Sequence, residues 1–408
     1  MSQQITEVKI GLNFGDQIQP VGRLAIRNAI IFFEYAEAFR KSGMEISPFR
    51  LPLRAGAVDL PLRPFEGLAG VFNDSLPDGW GRLLMNRSLR SKGISSTSIS
   101  PLDRLAQVGL FGMGALVYEP DNSPTDIDGI VDLDHLANQA EEVLQGDSEA
   151  VIKELLALNG SSAGARPKAL IGVDNQRKIL YFGAKELNEE FEPWLVKFPN
   201  SNDGYDAGAI EFVYALMAKE AGLIMPEVHL FPSQKGAGYF AVKRFDREGS
   251  KRLHMHTASG LLHSDFRVPA LDYEDLLNLT SSLTRKSREI EGMFRLAVFN
   301  TLSHNRDDHA KNFSFLMDQT GEWTMAPAYD LTYSNGPRGE QSTMVLGEGK
   351  SPTVDHLVKL GFRAKLSKKL VDEIIDQTRY ALNKWKLLAK EYNVEKKQID
   401  LIWSRMIR

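Results

Sequence analysis

The chain has 408 residues, of which 43% are hydrophobic and 25% are charged, and its formal net charge is −4. This profile is typical of a globular protein long enough to bury several cores, and it argues against a broad electrostatic surface for nucleic acid. The absence of cysteine excludes disulfides, zinc–thiolate sites and cysteine nucleophiles, and it fits a reducing compartment. We expect a cytoplasmic protein that does not enter a membrane, because the sequence shows no signal-peptide pattern and no apolar run near the ~18 residues of a membrane-spanning helix.

The first 125 residues are predicted to be rich in β-structure. Segments 8–12, 29–33 and 115–118 are short and apolar, with β-branched and aromatic residues and with turn residues between the segments. In segment 78–89 the apolar residues recur at helical spacing, and Asp78 stands where a capping residue is expected. Segment 119–124 contains two prolines and is predicted to be a linker.

The middle of the chain mixes predicted helices and strands. Helical spacing covers residues 131–159, and strands are predicted at 169–173, 179–182, 194–198 and 238–245. A helix over 207–221 should end at Gly222, because glycine readily adopts the left-handed conformation found just after a helix.

From about residue 272 the pattern is mainly helical, with one interruption. Segments 313–317 and 323–326 predict a hairpin around a turn at 318–321. A β-rich front, a mixed middle and a helical rear together predict the α+β class.

The densest polar run of the chain covers residues 304–312, between a strongly apolar helix and the predicted hairpin. Ionisable groups at the boundary of a core are costly unless they are paired or bind a ligand. After the hairpin, Asp330 stands alone within the apolar segment 326–332. Because a two-stranded hairpin returns the chain to its start, we expect Asp330 to lie close to Asn312.

Asp307, Asn312 and Asp330 are the residue types that phosphoryl transfer from ATP uses. One Asp accepts a hydrogen bond from the attacking hydroxyl, while an Asn and a second Asp hold Mg²⁺ through oxygen atoms. Positive groups, here Lys311, offset the charge of the transferred phosphoryl. Asp307 and Asn312 are five positions apart, the spacing of the protein-kinase catalytic loop H-R-D-x-x-x-x-N.

Two other interpretations of this run stay open. The run could be a solvated loop in which Asp307 or Asp308 only caps a helix. It could also belong to a metal-dependent hydrolase, in which Asp307, Asp308, His309 and Asp330 hold the metal and activate water. The second interpretation is less favoured because neighbouring Asp308 and His309 do not easily share one ligand sphere.

Two further features could contact the phosphates of ATP. Residues 159–168 form a loop of small residues whose backbone N–H groups can approach phosphate oxygens, although a plain turn has the same composition. Lys197 lies inside an apolar strand, so its ammonium group must find a phosphate or another counter-charge, or reach solvent. Glu211 could pair with Lys197, or it could simply favour the N-terminus of its helix.

These segments resemble the HipA family, the serine/threonine kinase toxins of bacterial type II toxin–antitoxin modules. The resemblance follows the family's order through nearly the whole chain. It is carried by residues 72–81 (FNDSLPDGWG), 161–168 (SSAGARPK), 194–198 (WLVKF), 242–247 (VKRFDR), 305–314 (NRDDHAKNFS) and 329–331 (YDL).

The resemblance implies a role for each matched residue. Asp307 is implied as the catalytic Asp, Asn312 and Asp330 as ligands of Mg²⁺, and Lys197 as the phosphate-binding lysine. The loop over the ATP phosphates is implied to contain Ser161, Ser162, Ala163, Gly164, Ala165 and Lys168. Ser161, with Ser162 as the alternative, is implied as an inhibitory autophosphorylation site, where the added phosphate would repel ATP and eject the loop.

Residues 242–245 are implied as the hinge that binds adenine. Lys243 stands where the best-known member has Glu, and Phe245 keeps an apolar wall for the base. Since hinge contacts are largely made by the backbone, this difference should alter affinity rather than function.

The resemblance also implies a fold and partners. The fold is two-lobed and related to protein kinases and phosphatidylinositol kinases, with a β-rich front subdomain (1–125), a nucleotide-binding N-lobe (126–247) and a helical C-lobe (248–408). The implied partner is a helix-turn-helix antitoxin of the HipB type, through which operator DNA is reached. The implied substrates are translation components, glutamyl-tRNA synthetase among them.

An alternative function is a catalytically silent, nucleotide-binding partner in an antitoxin–operator repressor complex. The retention of Asp307, Asn312, Asp330 and Lys197 argues against it, because a scaffold would not need all four.

Overall fold

The computed structural model describes residues 5–407 except 92, 94, 96–98, 124–127, 147–148, 160–163, 184–186, 188–189 and 201–203. The helices are α1 (Glu37–Ser42), α2 (Gly70–Asn73), α3 (Gly79–Ser91), α4 (Pro101–Val108), α5 (Leu133–Gln145), α6 (Glu149–Asn159), α7 (Ala207–Glu220), α8 (Ala258–Leu262), α9 (Tyr273–Thr284), α10 (Ser287–Ser303), α11 (Val354–Arg363), α12 (Lys368–Leu382), α13 (Trp385–Glu391) and α14 (Lys396–Arg405). The strands are β1 (Glu7–Asn13), β2 (Ile18–Arg27), β3 (Ile30–Tyr35), β4 (Val58–Asp59), β5 (Leu116–Glu119), β6 (Asp128–Ile130), β7 (Lys168–Asp174), β8 (Leu180–Gly183), β9 (Phe191–Lys197), β10 (Val228–Phe231), β11 (Tyr239–Lys243), β12 (Arg247–Glu248), β13 (Lys251–Arg252), β14 (His254–Thr257), β15 (Leu271–Asp272), β16 (Ser314–Met317), β17 (Trp323–Met325) and β18 (Thr343–Met344).

The front of the chain is built on an antiparallel sheet, which has five strands in the described residues, in the order β4-β3-β2-β1-β5. Alternate side chains of β1 (Val8, Ile10 and Leu12) are buried, which is the pattern of a strand with one face on a core. The segments predicted at 8–12, 29–33 and 115–118 fall on β1, β3 and β5, which confirms the β-rich front.

The middle of the chain forms a second antiparallel sheet, in which the described strands are ordered β10-β11-β9-β7-β8-β6. Its register places Lys168 of β7 directly opposite Lys197 of β9. Helix α7 ends as predicted: Gly222 has a φ of 82° and donates to the Lys219 carbonyl, while Leu223 donates to the Ala218 carbonyl. These are the two hydrogen bonds of a Schellman motif.

The predicted hairpin in the rear of the chain is confirmed as β16 and β17. The backbone N–H of Thr320 donates to the Asp318 carboxylate at 2.8 Å, and Gly321 has a φ of 84°, so both turn residues suit their positions. A strand that the sequence did not predict, β14, adds to the other side of β16. The apolar helix α10 ends at His304, with a φ of 62°, and the polar run begins there.

Two hydrophobic cores organise the molecule. The larger core joins the front sheet, helix α7 and the rear helices, and the smaller core lies between the second sheet and α3, α5 and α6. The fold is α+β, with the β-rich front and the helical rear that the sequence predicted. The domain limits at 125 and 247 stay a prediction. Helix α3 lies before residue 125 in the chain, yet its Trp80 and Leu84 pack in the smaller core with the second sheet. Within the described ranges, no helix is long and apolar enough to cross a membrane.

A buried polar chain ties the front of the molecule to its rear. Ser47 Oγ lies 3.0 Å from His256 Nε2, and His256 Nδ1 lies 2.7 Å from a carboxylate oxygen of Asp74. The order Ser–His–Asp is that of a hydrolase triad, but the Ser47 and His256 side chains have no exposure to solvent. Asp74 also accepts hydrogen bonds from the backbone N–H and the hydroxyl of Thr257. The arrangement therefore satisfies buried polar groups between two parts of the fold.

Candidate active site

Lys197 is the hub of the candidate site. Its Nζ lies 2.5 Å from Glu211 Oε1 on helix α7 and 2.5 Å from Asp330 Oδ1 in the segment after β17. The Lys197 side chain is 11% exposed and that of Glu211 is 2% exposed, so the ammonium group is shared between two carboxylates away from bulk water. The Lys197 ammonium group is therefore paired with carboxylates and does not reach solvent, and Glu211 is one of its two partners.

The charges of this hub shift one another. Burial alone would raise the pKa of Asp330, but the ammonium groups of Lys197 and Lys168 outweigh it and hold that pKa well below its usual range. Burial raises the pKa of Glu211, and the neighbouring Asp330 carboxylate adds to the effect. For Lys197, burial favours the neutral amine, yet the two carboxylates outweigh burial and raise its pKa. Asp330 is therefore ionised and Lys197 protonated at neutral pH.

The polar run brings Asp307 and Asn312 to the same place. Asn312 Nδ2 donates to the Asp307 carbonyl at 2.7 Å, so the amide oxygen of Asn312 is turned away from that carbonyl. Burial raises the pKa of Asp307, and the negative charge of Asp330 raises it further, so the charges of the two carboxylates act on each other.

The hairpin returns the chain as the sequence suggested. Tyr329, the residue before Asp330, donates from its hydroxyl to the Lys311 carbonyl at 2.5 Å and lies 2.6 Å from Ser314 Oγ. Asp330 itself has a φ of 57°, an uncommon conformation that is seen most often at constrained positions.

Asp308 has a different role from its neighbour Asp307. Its carboxylate is fully buried and accepts hydrogen bonds from Tyr273 Oη at 2.6 Å, Gln341 Nε2 at 3.0 Å, and the backbone N–H groups of Ser342 at 2.9 Å and Thr343 at 3.2 Å. Burial raises the pKa of Asp308 to about 7. Since these four donors occupy both oxygens, the geometry does not support the hydrolase interpretation, which needed Asp308 as a metal ligand.

The loop predicted to cover phosphates is described in part. Ser161, Ser162 and Ala163 lie outside the described residues, whereas Gly164, Ala165 and Lys168 lie within them. Gly164 has a φ of 111°, a backbone conformation that favours glycine, and its Cα faces the end of the Lys168 side chain. Burial, with the nearby charge of Lys197, lowers the pKa of Lys168 to about 8.

Three residues of the site carry contacts that the sequence did not indicate. Lys311 Nζ lies 2.7 Å from Asp78 Oδ2, and Asp78 Oδ1 accepts a hydrogen bond from the Gly164 backbone N–H. Arg166 Nη1 lies 3.5 Å from Glu211 Oε2. Asp78 directly precedes α3, where the sequence placed a capping residue, and both of its carboxylate oxygens also bind groups outside that helix. Asp78 and Lys311 are 233 positions apart, so no local pattern could have joined them.

The predicted hinge lies on β11 and just after it. Lys243 pairs with Glu192 of the neighbouring strand, its backbone N–H donates to the Glu227 carbonyl at 2.9 Å, and the Arg244 N–H donates to the Pro193 carbonyl at 2.9 Å. These backbone donors are therefore used within the sheet. The Phe245 ring lies 5.4 Å from the Tyr329 ring, which places an apolar surface next to Asp330.

Comparison with known proteins places this site in a family. The model of the HipA-like C-terminal domain matches residues 160–385, and the model of the HipA N-terminal domain matches residues 16–119. The chain belongs to the HipA family. The HipA chain in the Shewanella oneidensis MR-1 complex of HipA, HipB and operator DNA superposes on it with a TM-score of 0.69, over 97% of this chain and 95% of that chain. At 17% identity, this match shows a shared fold.

Two proteins of Sinorhizobium fredii (strain NBRC 101917 / NGR234) are similar to this HipA-family chain in sequence. The first, named "Putative kinase Y4dM", is 25% identical over 228 residues, which are 51% of this chain and 53% of the relative. The second, named "Putative kinase Y4mE", is 23% identical over 338 residues, which are 74% of this chain and 77% of the relative. The chain thus spans about half the length of Y4dM.

The donor set of this HipA-family site suits Mg²⁺ and a nucleotide. Magnesium prefers oxygen ligands and tolerates a site of one or two carboxylates completed by phosphate and water. The Asp330 side chain is 35% exposed despite its bond to Lys197, and the amide oxygen of Asn312 is turned away from the Asp307 carbonyl to which its nitrogen donates. No cluster of three or more His, Cys, Asp or Glu side chains suited to a metal occurs in the described ranges, so a nitrogen- or thiolate-rich centre is not indicated there.

Proposed function

We propose that this protein is an ATP- and Mg²⁺-dependent serine/threonine protein kinase that acts as the toxin of a toxin–antitoxin module. The observation that carries the proposal is the double pairing of Lys197 with Glu211 and Asp330. Protein kinases need a strand lysine that is held by a helix glutamate, with a metal-binding Asp in place at the same time. The proposal is supported further by the proposed catalytic-loop residues: Asn312 donates to the Asp307 carbonyl, and the charges of Asp330 and Lys197 act on the Asp307 carboxyl.

In the proposed mechanism, bound Mg²⁺–ATP supplies the transferable phosphoryl group and leaves as ADP. Asn312 and Asp330 would hold the metal ion through oxygen atoms, and Lys197 would bind phosphate oxygens while Glu211 fixes the position of the ammonium group. Asp307 accepts the hydrogen bond of the acceptor hydroxyl, orients it and takes its proton as the new phosphate–oxygen bond forms. The raised pKa of Asp307 makes it a better proton acceptor than an ordinary surface carboxylate at neutral pH.

A cleft of about 650 Å³ offers room for the acceptor polypeptide. One wall is α3, and the other is the segment at Phe266 and Arg267. The Phe266 ring lies 5.3 Å from the His309 ring and 4.6 Å from Lys311 Nζ, so this wall contacts the catalytic loop directly. A hydroxyl on a segment bound in the cleft could therefore approach Asp307.

We further propose a HipB-like helix-turn-helix antitoxin as the partner, since the structurally similar HipA chain comes from a complex with HipB and operator DNA. This partner would bring the chain to operator DNA despite its net charge of −4. The proposed substrate is a translation component such as an aminoacyl-tRNA synthetase.

Self-labelling tests the proposed activity directly. Incubation of the purified protein with Mg²⁺-ATP should add the mass of one phosphoryl group, which peptide mapping should place on Ser161 or Ser162. The combined variant Ser161→Ala, Ser162→Ala should lose self-labelling yet still label a protein of the cell lysate. ATP turnover with phosphate release and no labelled protein would favour a hydrolase, and a wild-type chain that neither labels nor binds ATP would contradict the proposal.

The affinity for ATP should depend on pH through Lys168. Its pKa of about 8 in the free protein should rise when phosphates bind, because they favour the charged ammonium. Below about pH 8 the group is protonated in both states, and affinity should be flat. Above it, binding must take up a proton, so affinity should fall by up to about tenfold per pH unit.

Calorimetric titration with ATP between pH 7.5 and roughly 9.5 checks this pH dependence. The matched variant Lys168→Met should bind more weakly at all pH values and show no such slope. An identical slope in the variant would assign the titration to another group.

A further inference from the structure

The segment Asp78-Gly79-Trp80 of the front part contacts the phosphate loop at three consecutive positions. The Asp78 carboxylate accepts the Gly164 N–H, and the Trp80 N–H donates to the Gly164 carbonyl at 3.0 Å. Between them, Gly79 has a φ of 43° and packs so closely that an added Cβ would lie 2.5 Å from the Gly164 oxygen and 2.7 Å from the Ala165 Cα. Both backbone polar groups of Gly164 are therefore engaged by residues from another part of the chain.

The same Asp78 carboxylate also holds the catalytic loop. Its second oxygen lies 2.7 Å from Lys311 Nζ, and Asp78 and Lys311 are 9% and 7% exposed. Two charges this deeply buried depend on each other, since the loss of either leaves the other without compensation. Burial alone would raise the pKa of Asp78, but Lys311 and the Gly164 N–H outweigh it and lower that pKa, so the carboxylate is ionised at neutral pH.

We propose that Asp78 is a positioning residue for phosphoryl transfer, which holds the phosphate loop and the catalytic loop at a fixed separation through one carboxylate. The inference rests on the proposed kinase function. Backbone N–H groups bind phosphate well only when their directions are fixed before the ligand arrives, because ordering a loop on binding costs conformational entropy. Asp78 and Trp80 engage both backbone polar groups of Gly164, which fixes the chain there and so the directions of the adjoining N–H groups that would meet phosphate. Lys311 receives its position from the same carboxylate.

The sign of the effect on ATP affinity separates positioning from simple electrostatics. Asp78 is an anion beside the site of a polyanionic ligand, so if it acted only through its charge, neutralising it would strengthen ATP binding. If Asp78 positions the loops, neutralising it should weaken binding, because Gly164 and Lys311 lose their fixed positions and the N–H groups next to Gly164 lose their fixed directions. A charge-assisted hydrogen bond contributes roughly 1.5–3 kcal/mol, which corresponds to a weakening of about tenfold to a hundredfold.

Two variants test the proposal by different physical means. Asp78→Asn keeps the shape and removes the charge, whereas Gly79→Ala keeps Asp78 and displaces Gly164 sterically. Titration calorimetry with a non-hydrolysable ATP analogue and Mg²⁺ should show weaker binding in both variants. Steady-state kinetics should show a raised KM for ATP in Asp78→Asn, together with a lower kcat because Lys311 is also released.

Asp103→Asn is the matched control, because Asp103 is a carboxylate of the same front part that caps α4 by accepting the Ser100 N–H at 2.8 Å. It should lower thermal stability and leave the affinity for the analogue within about twofold of wild type. Unchanged or tighter binding in Asp78→Asn would overturn the proposal. If that variant does not fold, unchanged binding in Gly79→Ala overturns it equally.

Failure of the positioning role of Asp78 and failure of the proposed kinase function give different results. The binding experiment needs no phosphoryl transfer, so a wild-type chain that binds the analogue in an Asp78-dependent way but labels no protein would retain the positioning role and lose the proposed kinase activity. If the Asp78→Asn variant labels protein at the wild-type rate, the kinase function stands and the positioning role of Asp78 is contradicted.

Discussion

Replacing Asp307 with Asn should lower the kcat of phosphoryl transfer by about 10²- to 10⁴-fold, which leaves only a small residual activity. Asn keeps the size of the side chain and can still contact the hydroxyl, but it cannot take up the proton. Because Asp307 is not among the groups proposed to hold the metal ion or the phosphates of ATP, the affinity for ATP should change little. Radiolabel transfer to the protein itself, with calorimetry for ATP affinity, measures the two effects separately.

Asp318→Asn provides the control for this experiment, since Asp318 lies in the turn of the β16–β17 hairpin and its carboxylate accepts hydrogen bonds from Thr320 and Glu322 of the same turn. It should transfer at the wild-type rate. The pH profile supplies a second check. Since burial raises the pKa of Asp307, wild-type activity should be lost on acidification at a higher pH than an ordinary Asp would give. A variant at 307 with wild-type kcat would remove this residue from the mechanism.

Replacing Asp330 with Asn should have the other large effect, a loss of about 10²- to 10³-fold in transfer with a marked rise in the Mg²⁺ concentration needed. The substitution removes a carboxylate that is held ionised by Lys197 and Lys168, and Asn is a weaker ligand for a divalent cation. Lys197 keeps Glu211 as its partner, so the fold should survive. Transfer rates measured across a Mg²⁺ titration, with a thermal melt of each protein, check this expectation.

Glu220→Gln is a suitable comparison for Asp330, because Glu220 also pairs with a lysine, Lys384, but lies at the far end of α7 from Glu211. Its Mg²⁺ dependence should match the wild type. An Asp330→Asn protein with unaltered Mg²⁺ dependence would show that the metal ion is bound elsewhere.

Local patterns in the sequence were sufficient for much of the fold and for part of the site. The hairpin at 314–325 and the helix ending at Gly222 follow from turn and capping chemistry over a few residues, so each could be predicted without knowledge of the rest. The approach of Asp330 to the polar run followed from the hairpin alone. The pairing of Lys197 with Glu211 was one of two open possibilities, because the sequence does not show which face of α7 meets β9.

Other features depend on distant contacts and gave no local signal. Strand β2 contains Pro20 and Gly22, which break its apolar alternation, and it is held by pairing with β1 and β3. Strand β14 contains His254 and His256, whose rings are buried and bonded to Ile46 and Ser47 of the front part. Histidines in sequence suggest a surface, and only tertiary partners make them acceptable in a core.

The two hydrophobic cores give the Lys197 ion pairs a further consequence. Lys197 extends from β9, and Trp194 and Val196 of the same strand pack in the smaller core. Its two partners are anchored in the larger core, where Ile210 packs next to Glu211 and Leu331 packs next to Asp330. A partial opening of the molecule that loosened only the smaller core would withdraw the lysine and leave both acids behind, close together and without compensation. The repulsion between those acids would penalise such an opening, so the groups proposed for chemistry also resist the separation of the two halves.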